Sequence, residues 1–206
     1  MKRLFGSTAV LALTLGVLAL PAQAQTTKTT TTKVEKKQTT EVKKETAVGG
    51  VRGSILFQLD QAKDKLVALA EAIPAEKYAW RPGEGVRSAG EVFNHVSSAN
   101  FFLPTFWGAK VPAGVDPRTF EKELSGDKAK TIDTLKKSFD NLRAAILAEP
   151  EADLSRKIKI FGNDATVRDA MMILASHAHE HLGQSIAYAR SNGVVPPWSA
   201  KPQAAD

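Results

Sequence analysis

The stretch TVRDAMMILASHAHEHLGQSIAYARS, residues 166–191, decides the fold. Thr166 with Asp169 three residues on is a variant capping box that starts a helix. Asn192-Gly193 supplies a left-handed stop, and Pro196-Pro197 forbids continuation. Each helical residue advances about 100°, so residues four apart project side by side, about 40° apart. Ala170, Leu174, His177, His181, Gln184 and Tyr188 therefore share one face. Apart from its polar members that face is apolar, so both histidines are expected to point into a core. His179 lies roughly 200° from His177 and is expected to face solvent or a partner. His179-Glu180 resembles the start of an H-E-x-x-H zinc motif, but position 183 is Gly183, and Glu180 reads as a flanking surface acid.

Working outward, the same period recurs three times. Ile55, Leu59, Ala62, Leu66, Leu69 and Ile73 form one stripe of a first helix that begins near residue 53 and stops at Pro74. Ser88-Ala-Gly-Glu91 is a capping box for a second helix running to about Leu103, before Pro104, with Val92, His95, Ala99 and Phe102 on its stripe and Val96 beside it. A third helix spans roughly Asp127 to Ala148, with Ile132, Leu135, Phe139, Leu142 and Ile146 inward. The 166–191 helix is the fourth. Between the third and fourth, Ile158, Ile160 and Phe161 around Gly162-Asn163 read as a short hairpin or a packed loop. No internal repeat is present. These elements predict an all-α, four-helix bundle with long inter-helix loops. The connection from Pro104 to Gly126 exceeds a simple turn, and its Phe106, Trp107, Val111 and Phe120 can cap the core, as a packed connector or as a lid.

The chain has 206 residues, 43% hydrophobic and 24% charged, enough for one domain with a real core. It has no cysteine, which excludes disulfides, thiolate metal sites and thiol nucleophiles. Of 28 basic and 22 acidic residues, eight basic and three acidic ones lie in residues 1–48. The remainder holds 20 and 19, a net of +1, so nucleic acid is not an expected partner. Lys2-Arg3, an apolar run from Leu4 to Leu20 and Ala22-Gln23-Ala24 describe a signal peptide, residues 1–24, cleaved after Ala24. The expectation is an exported protein, periplasmic or secreted, with no stable membrane anchor after cleavage. Residues 25–50, rich in Thr, Lys and Glu and closed by Gly49-Gly50, read as a disordered linker; the domain is expected over 51–200, with a disordered tail at 201–206.

Only four histidines exist, and His95 sits on the inward stripe of the second helix. His95, His177 and His181 thus aim at a common interior from two helices, the pattern of three-histidine metal ligation. Buried imidazoles without partners would each cost on the order of 1–3 kcal/mol, a cost that a metal and its outer hydrogen bonds relieve. Imidazole ligands suit zinc, nickel, copper and iron; zinc or nickel is the expected divalent ion. No general base stands out: Glu91 follows Ser88 in the capping box, and Gln184 and Tyr188 could orient a substrate or simply bond helix to helix. Trp80 and Arg81 are expected to pin the first loop, and Trp198 to pack the C-terminus on the bundle.

Four stretches together resemble the DinB/YfiT-like superfamily: AIPAEKYAWRP (72–82), VRSAGEVFNH (86–95), HAHEHLGQ (177–184) and GVVPPW (193–198). The resemblance covers about residues 50–200. It implies a crossed, up-down-down-up bundle, frequent homodimers, and a ligand triad that falls on His95, His177 and His181. It further implies a metal-dependent enzyme acting on a small molecule, a hydrolase or a thiol-type transferase. The alternative is a non-catalytic exported bundle in which metal is structural or sensed, or a protein-interaction domain. An enzyme requires an open pocket at the metal, whereas a structural site requires a fourth protein ligand and a sealed core.

Overall fold

Gly49 precedes the first helix as its cap, and the apolar stripe behind it is long enough to hold six turns together: α1 runs Gly50–Ala72. The computed structural model describes residues 49–124 and 126–200. The expected signal peptide, nearly all of the linker and the tail lie outside the described residues. The linker expectation overreached by one residue, because Gly50 already belongs to α1.

Four more helices follow: α2 (Ala89–Phe102), α3 (Phe120–Glu123), α4 (Lys128–Ala148) and α5 (Val167–Ser191). The caps read from sequence at Ser88 and Thr166 are in place. Ser88 and Glu91 exchange side-chain and backbone hydrogen bonds at α2, Thr166 and Asp169 do the same at α5, and the Asp127 carboxylate accepts from the Lys130 amide at α4. Each satisfies amides that a helix start leaves without intrahelical partners.

The four long helices form the bundle, with α1 and α2 each packed against both α4 and α5. Salt bridges Lys63–Asp140 and Arg143–Asp60, and the Lys128 ammonium on the Glu71 and Ile73 carbonyls, run α1 and α4 antiparallel. Val51, Ser54, Ile55 and Gln58 near the start of α1 share a groove with Met172 and Ala175 in the first half of α5, and His179 meets the Gln58 carbonyl, so those two helices run parallel. Trp80 and Val92 meet Tyr188 while His95 meets His177 and His181, so α2 is antiparallel to α5. Directions along the chain are therefore up, down, down, up. Leu66, Leu69, Leu135, Leu142, Ile146, Met171 and Leu174 are wholly buried in the shared core. Burying each such side chain contributes roughly 1.5–3 kcal/mol.

The segment after α4 is a hairpin. Strands β1 (Lys157–Ile160) and β2 (Asn163–Thr166) pair antiparallel, with Ile158 opposite Ala165. The turn is Phe161-Gly162, with φ of 49° and 86°, the two left-handed positions that a tight hairpin requires. One stripe assignment is corrected. Phe102 does not face the core: α2 is buried on two sides, by Val92, Phe93, Val96 and Phe101, because it packs on α4 and α5 at once. Phe102 instead stacks edge-on with Phe106, close to Phe161, at the hairpin end of the bundle. In the connector Trp107 is buried as a cap, and a short 3-10 turn, Leu103–Trp107, carries the chain past Pro104.

Candidate metal centre

His95 leaves α2 at mid-helix, and His177 and His181 leave α5 one turn apart, opposite it. The three rings meet. His177 Nε2 lies 3.1 Å from His95 Nε2 and 3.1 Å from His181 Nε2, and the ring centroids are 4.4–5.0 Å apart. One ligand atom from each residue falls within 4.8 Å of the others. With metal–nitrogen bonds of about 2.0–2.1 Å, tetrahedral neighbours stand about 3.3 Å apart, so the 3.1 Å spacings suit a shared ion.

The outer nitrogens are tied down. His95 Nδ1 donates to Glu121 Oε1 at 2.5 Å, and His181 Nδ1 donates to Gln184 Oε1 at 2.8 Å. The Gln184 amide nitrogen donates in turn to the Tyr188 hydroxyl at 2.9 Å, and Tyr188 is braced edge-on by Trp80 at 5.3 Å. With protons on both Nδ1 atoms, His95 and His181 present Nε2 lone pairs inward. His177 carries one proton, so it can donate to at most one of them, and the other contact sets lone pair against lone pair. Among the described residues its own buried Nδ1 has no hydrogen-bond partner. A cation among the three Nε2 atoms removes that conflict, so the residues fit a divalent metal.

Burial favours the neutral form of His177 and His95. Burial above all, then the neighbouring His181, His95 and Arg87, takes His177 down to about 3. Burial also lowers His95, against the opposing pull of the Glu121 hydrogen bond. Burial pushes the Glu121 carboxyl up, but hydrogen bonds from Arg87 and His95 outweigh it and hold it below its ordinary value. Neutral imidazoles are the metal-binding form.

All three histidines read from the sequence are thus together, and His179 is not among them: its Nε2 meets the Gln58 carbonyl of α1 at 3.2 Å. Glu180 is exposed, as expected. Glu91 is held by the Ser88 amide at 2.7 Å and by Arg81, and is structural. Arg81 also donates to the Val86 carbonyl, pinning the first loop. Trp198 lies against α1, with Lys65 over its ring. Glu121 is the residue that sequence reasoning missed. It lies on α3, too short to show a period; the only available signal was an acid opposite Arg87 in a long connector. Arg87 grips both of its oxygens, at 2.8 and 3.3 Å.

A profile of the DinB superfamily matches residues 58–185. The chain belongs to the DinB superfamily. Solved structures show the same fold. A DinB-like protein from Bacillus cereus ATCC 10987 aligns with a TM-score of 0.62 at 18% identity, over 69% of this chain and 93% of that one. The DinB-like protein YjoA from Bacillus subtilis aligns at 0.54 and 18% identity, over 72% and 99%. YfiT from Bacillus subtilis, described as a probable metal-dependent hydrolase with an unusual four-helix bundle topology, aligns at 0.57 and 14% identity, over 70% and 89%. No curated protein matches this DinB-superfamily chain.

Proposed function

We propose that this DinB-superfamily protein is an exported metal-dependent hydrolase in which His95, His177 and His181 hold a divalent ion, zinc or nickel. The observation that carries the reading is the convergence of three Nε2 atoms whose outer nitrogens, on His95 and His181, are fixed by Glu121 and Gln184. Bound there, such an ion supplies Lewis-acid polarisation of a carbonyl or phosphoryl oxygen.

The chain's own residues then bind and orient. A cleft of about 630 Å³ lies against Glu121, the partner of His95, its walls including Arg81, Arg87, Arg118, Lys122, Glu91 and Glu121. Its size suits a small molecule and its lining a polar one. Glu121 lines this cleft and accepts from His95, and Arg87, also in its wall, holds Glu121, so the cleft connects to the histidine cluster through that carboxylate. A structural ion calls for a fourth protein ligand. Among the described residues no fourth His, Asp or Glu joins the three. The His95 side chain remains 24% exposed, which leaves a way in. This favours catalysis over a sealed structural site. The expected place outside the cytoplasm favours hydrolysis over transfer from cytosolic thiols.

Elemental analysis of protein purified without a polyhistidine tag tests the site. Near-stoichiometric metal is expected in the parent and in His179→Ala, and loss in His95→Ala and His181→Ala. Metal retained by the latter two would overturn the assignment. Export is tested by sequencing the mature N-terminus, which is expected at Gln25.

A further inference from the structure

The connector helix α3 is held to the bundle with little apolar help. None of Phe120–Glu123 is fully buried. The contacts that anchor it and the residues beside it include the Phe120 ring edge-on to Phe101 at 5.9 Å, the Ser98 hydroxyl on the Pro117 carbonyl at 2.7 Å, and Glu121. Glu121 is the contact that reaches the ligand set. Its Oε1 receives both His95 Nδ1 and Arg87 Nη2, while Arg87 Nε takes Oε2, so the carboxylate cannot swing away without leaving a half-exposed guanidinium behind.

We propose, resting on the reading that the triad holds a divalent ion, that Glu121 is the positioning residue of the centre. Through it, metal binding and docking of residues 116–124 become one linked equilibrium. The carboxylate fixes the proton on His95 Nδ1, turns the ring so that Nε2 faces inward, and makes that nitrogen a better donor to a cation. Its negative charge stands across the imidazole ring from the nitrogen that would hold the ion, and in a half-buried site it would offset part of the ion's charge. Coupling of this kind is reciprocal. An α3 that docks well raises affinity for the ion, and an ion in place holds α3 down. A plain loop-fastening salt bridge would couple to nothing: removing it would loosen α3 and leave affinity as it was.

The test uses the full mature chain, metal-stripped, as parent, Glu121→Ala, Glu121→Gln and Glu123→Ala; Glu123 is exposed on the same helix. Zinc affinity is read by competition with a chromophoric chelator, and hydrogen exchange of residues 116–124 is followed with and without zinc. Circular dichroism establishes that each variant is folded. Zinc is expected to slow exchange across 116–124 in the parent and in Glu123→Ala. Glu121→Ala is expected to weaken zinc binding about 10- to 100-fold and to abolish that protection. Glu121→Gln keeps an oxygen that can accept from Nδ1 and is expected to recover part of the affinity. Parent-like affinity in Glu121→Ala, or no zinc-dependent protection in a zinc-binding parent, overturns the inference while leaving the metal site standing. A parent that takes up no zinc overturns the metal reading and this inference with it.

Discussion

At the scale of single residues, the centre is asymmetric in how its ligands are supported. His95 leans on a charged carboxylate from the connector, and His181 leans on a neutral amide from its own helix, three residues on. Gln184 is oriented by the Tyr188 hydroxyl, so the support of His181 is local and internal to α5. Replacing Gln184 with Leu removes the acceptor for Nδ1–H without opening a cavity. Zinc affinity is expected to fall about 10-fold or more in a chelator competition, with the fold intact by circular dichroism. The grouping of the three histidines was legible in the sequence because a helical period gives a side chain a direction, and His95, His177 and His181 each lie on a stripe. Glu121 was not legible, since nothing in a 23-residue connector between Pro104 and Gly126 says which side chain returns to the bundle.

Elements were legible to the extent that their ends carry chemistry. The boxes at Ser88 and Thr166 located two helix starts, whereas Gly49 offers no side-chain cap and α1 began earlier than its stripe suggested. The hairpin stayed open in the sequence because its turn puts Phe161 at a left-handed position where Asn or Gly is the usual signal. The α5 cap matters most, since that helix carries two of the three clustered histidines. Thr166→Ala is expected to lower stability by about 1 kcal/mol in urea denaturation. The Asp169 carboxyl is held below its ordinary value, chiefly by the Thr166 hydroxyl and then by the Thr166 amide. A depressed carboxyl stabilises the fold above its unfolded value of about 3.9, and that contribution fades as pH falls through the lower folded value. Asp169→Asn should therefore narrow the stability gap with the parent as pH drops from 5 toward 2. A gap that widened over that range would contradict the assigned role.

Across the whole molecule, the site is a product of topology. His95 and His177 are 82 residues apart in sequence, and they meet because α2 and α5 run antiparallel on one side of the core. The i, i+4 pair alone survives unfolding as a local tendency, but the third ligand does not. An ion held by the three would therefore bind the folded chain far better than the unfolded one, and its binding would add to stability by mass action. At free zinc about 100 times the dissociation constant the gain is about 2.7 kcal/mol. For a chain of this size that corresponds to a rise of roughly 5–10 °C in Tm. The parent should show this shift in a thermal melt and lose it on chelation with EDTA. His181→Ala should melt at a temperature indifferent to zinc, whereas His179→Ala should respond as the parent does. A core variant such as Leu66→Ala, wholly buried on α1, should lose about 2–5 kcal/mol and still gain its zinc increment, because packing and ligation act on separate parts of the bundle. If instead zinc lifted parent and His181→Ala alike, the stabilisation would come from surface sites, and the long-range pairing of α2 with α5 would not be what holds the ion.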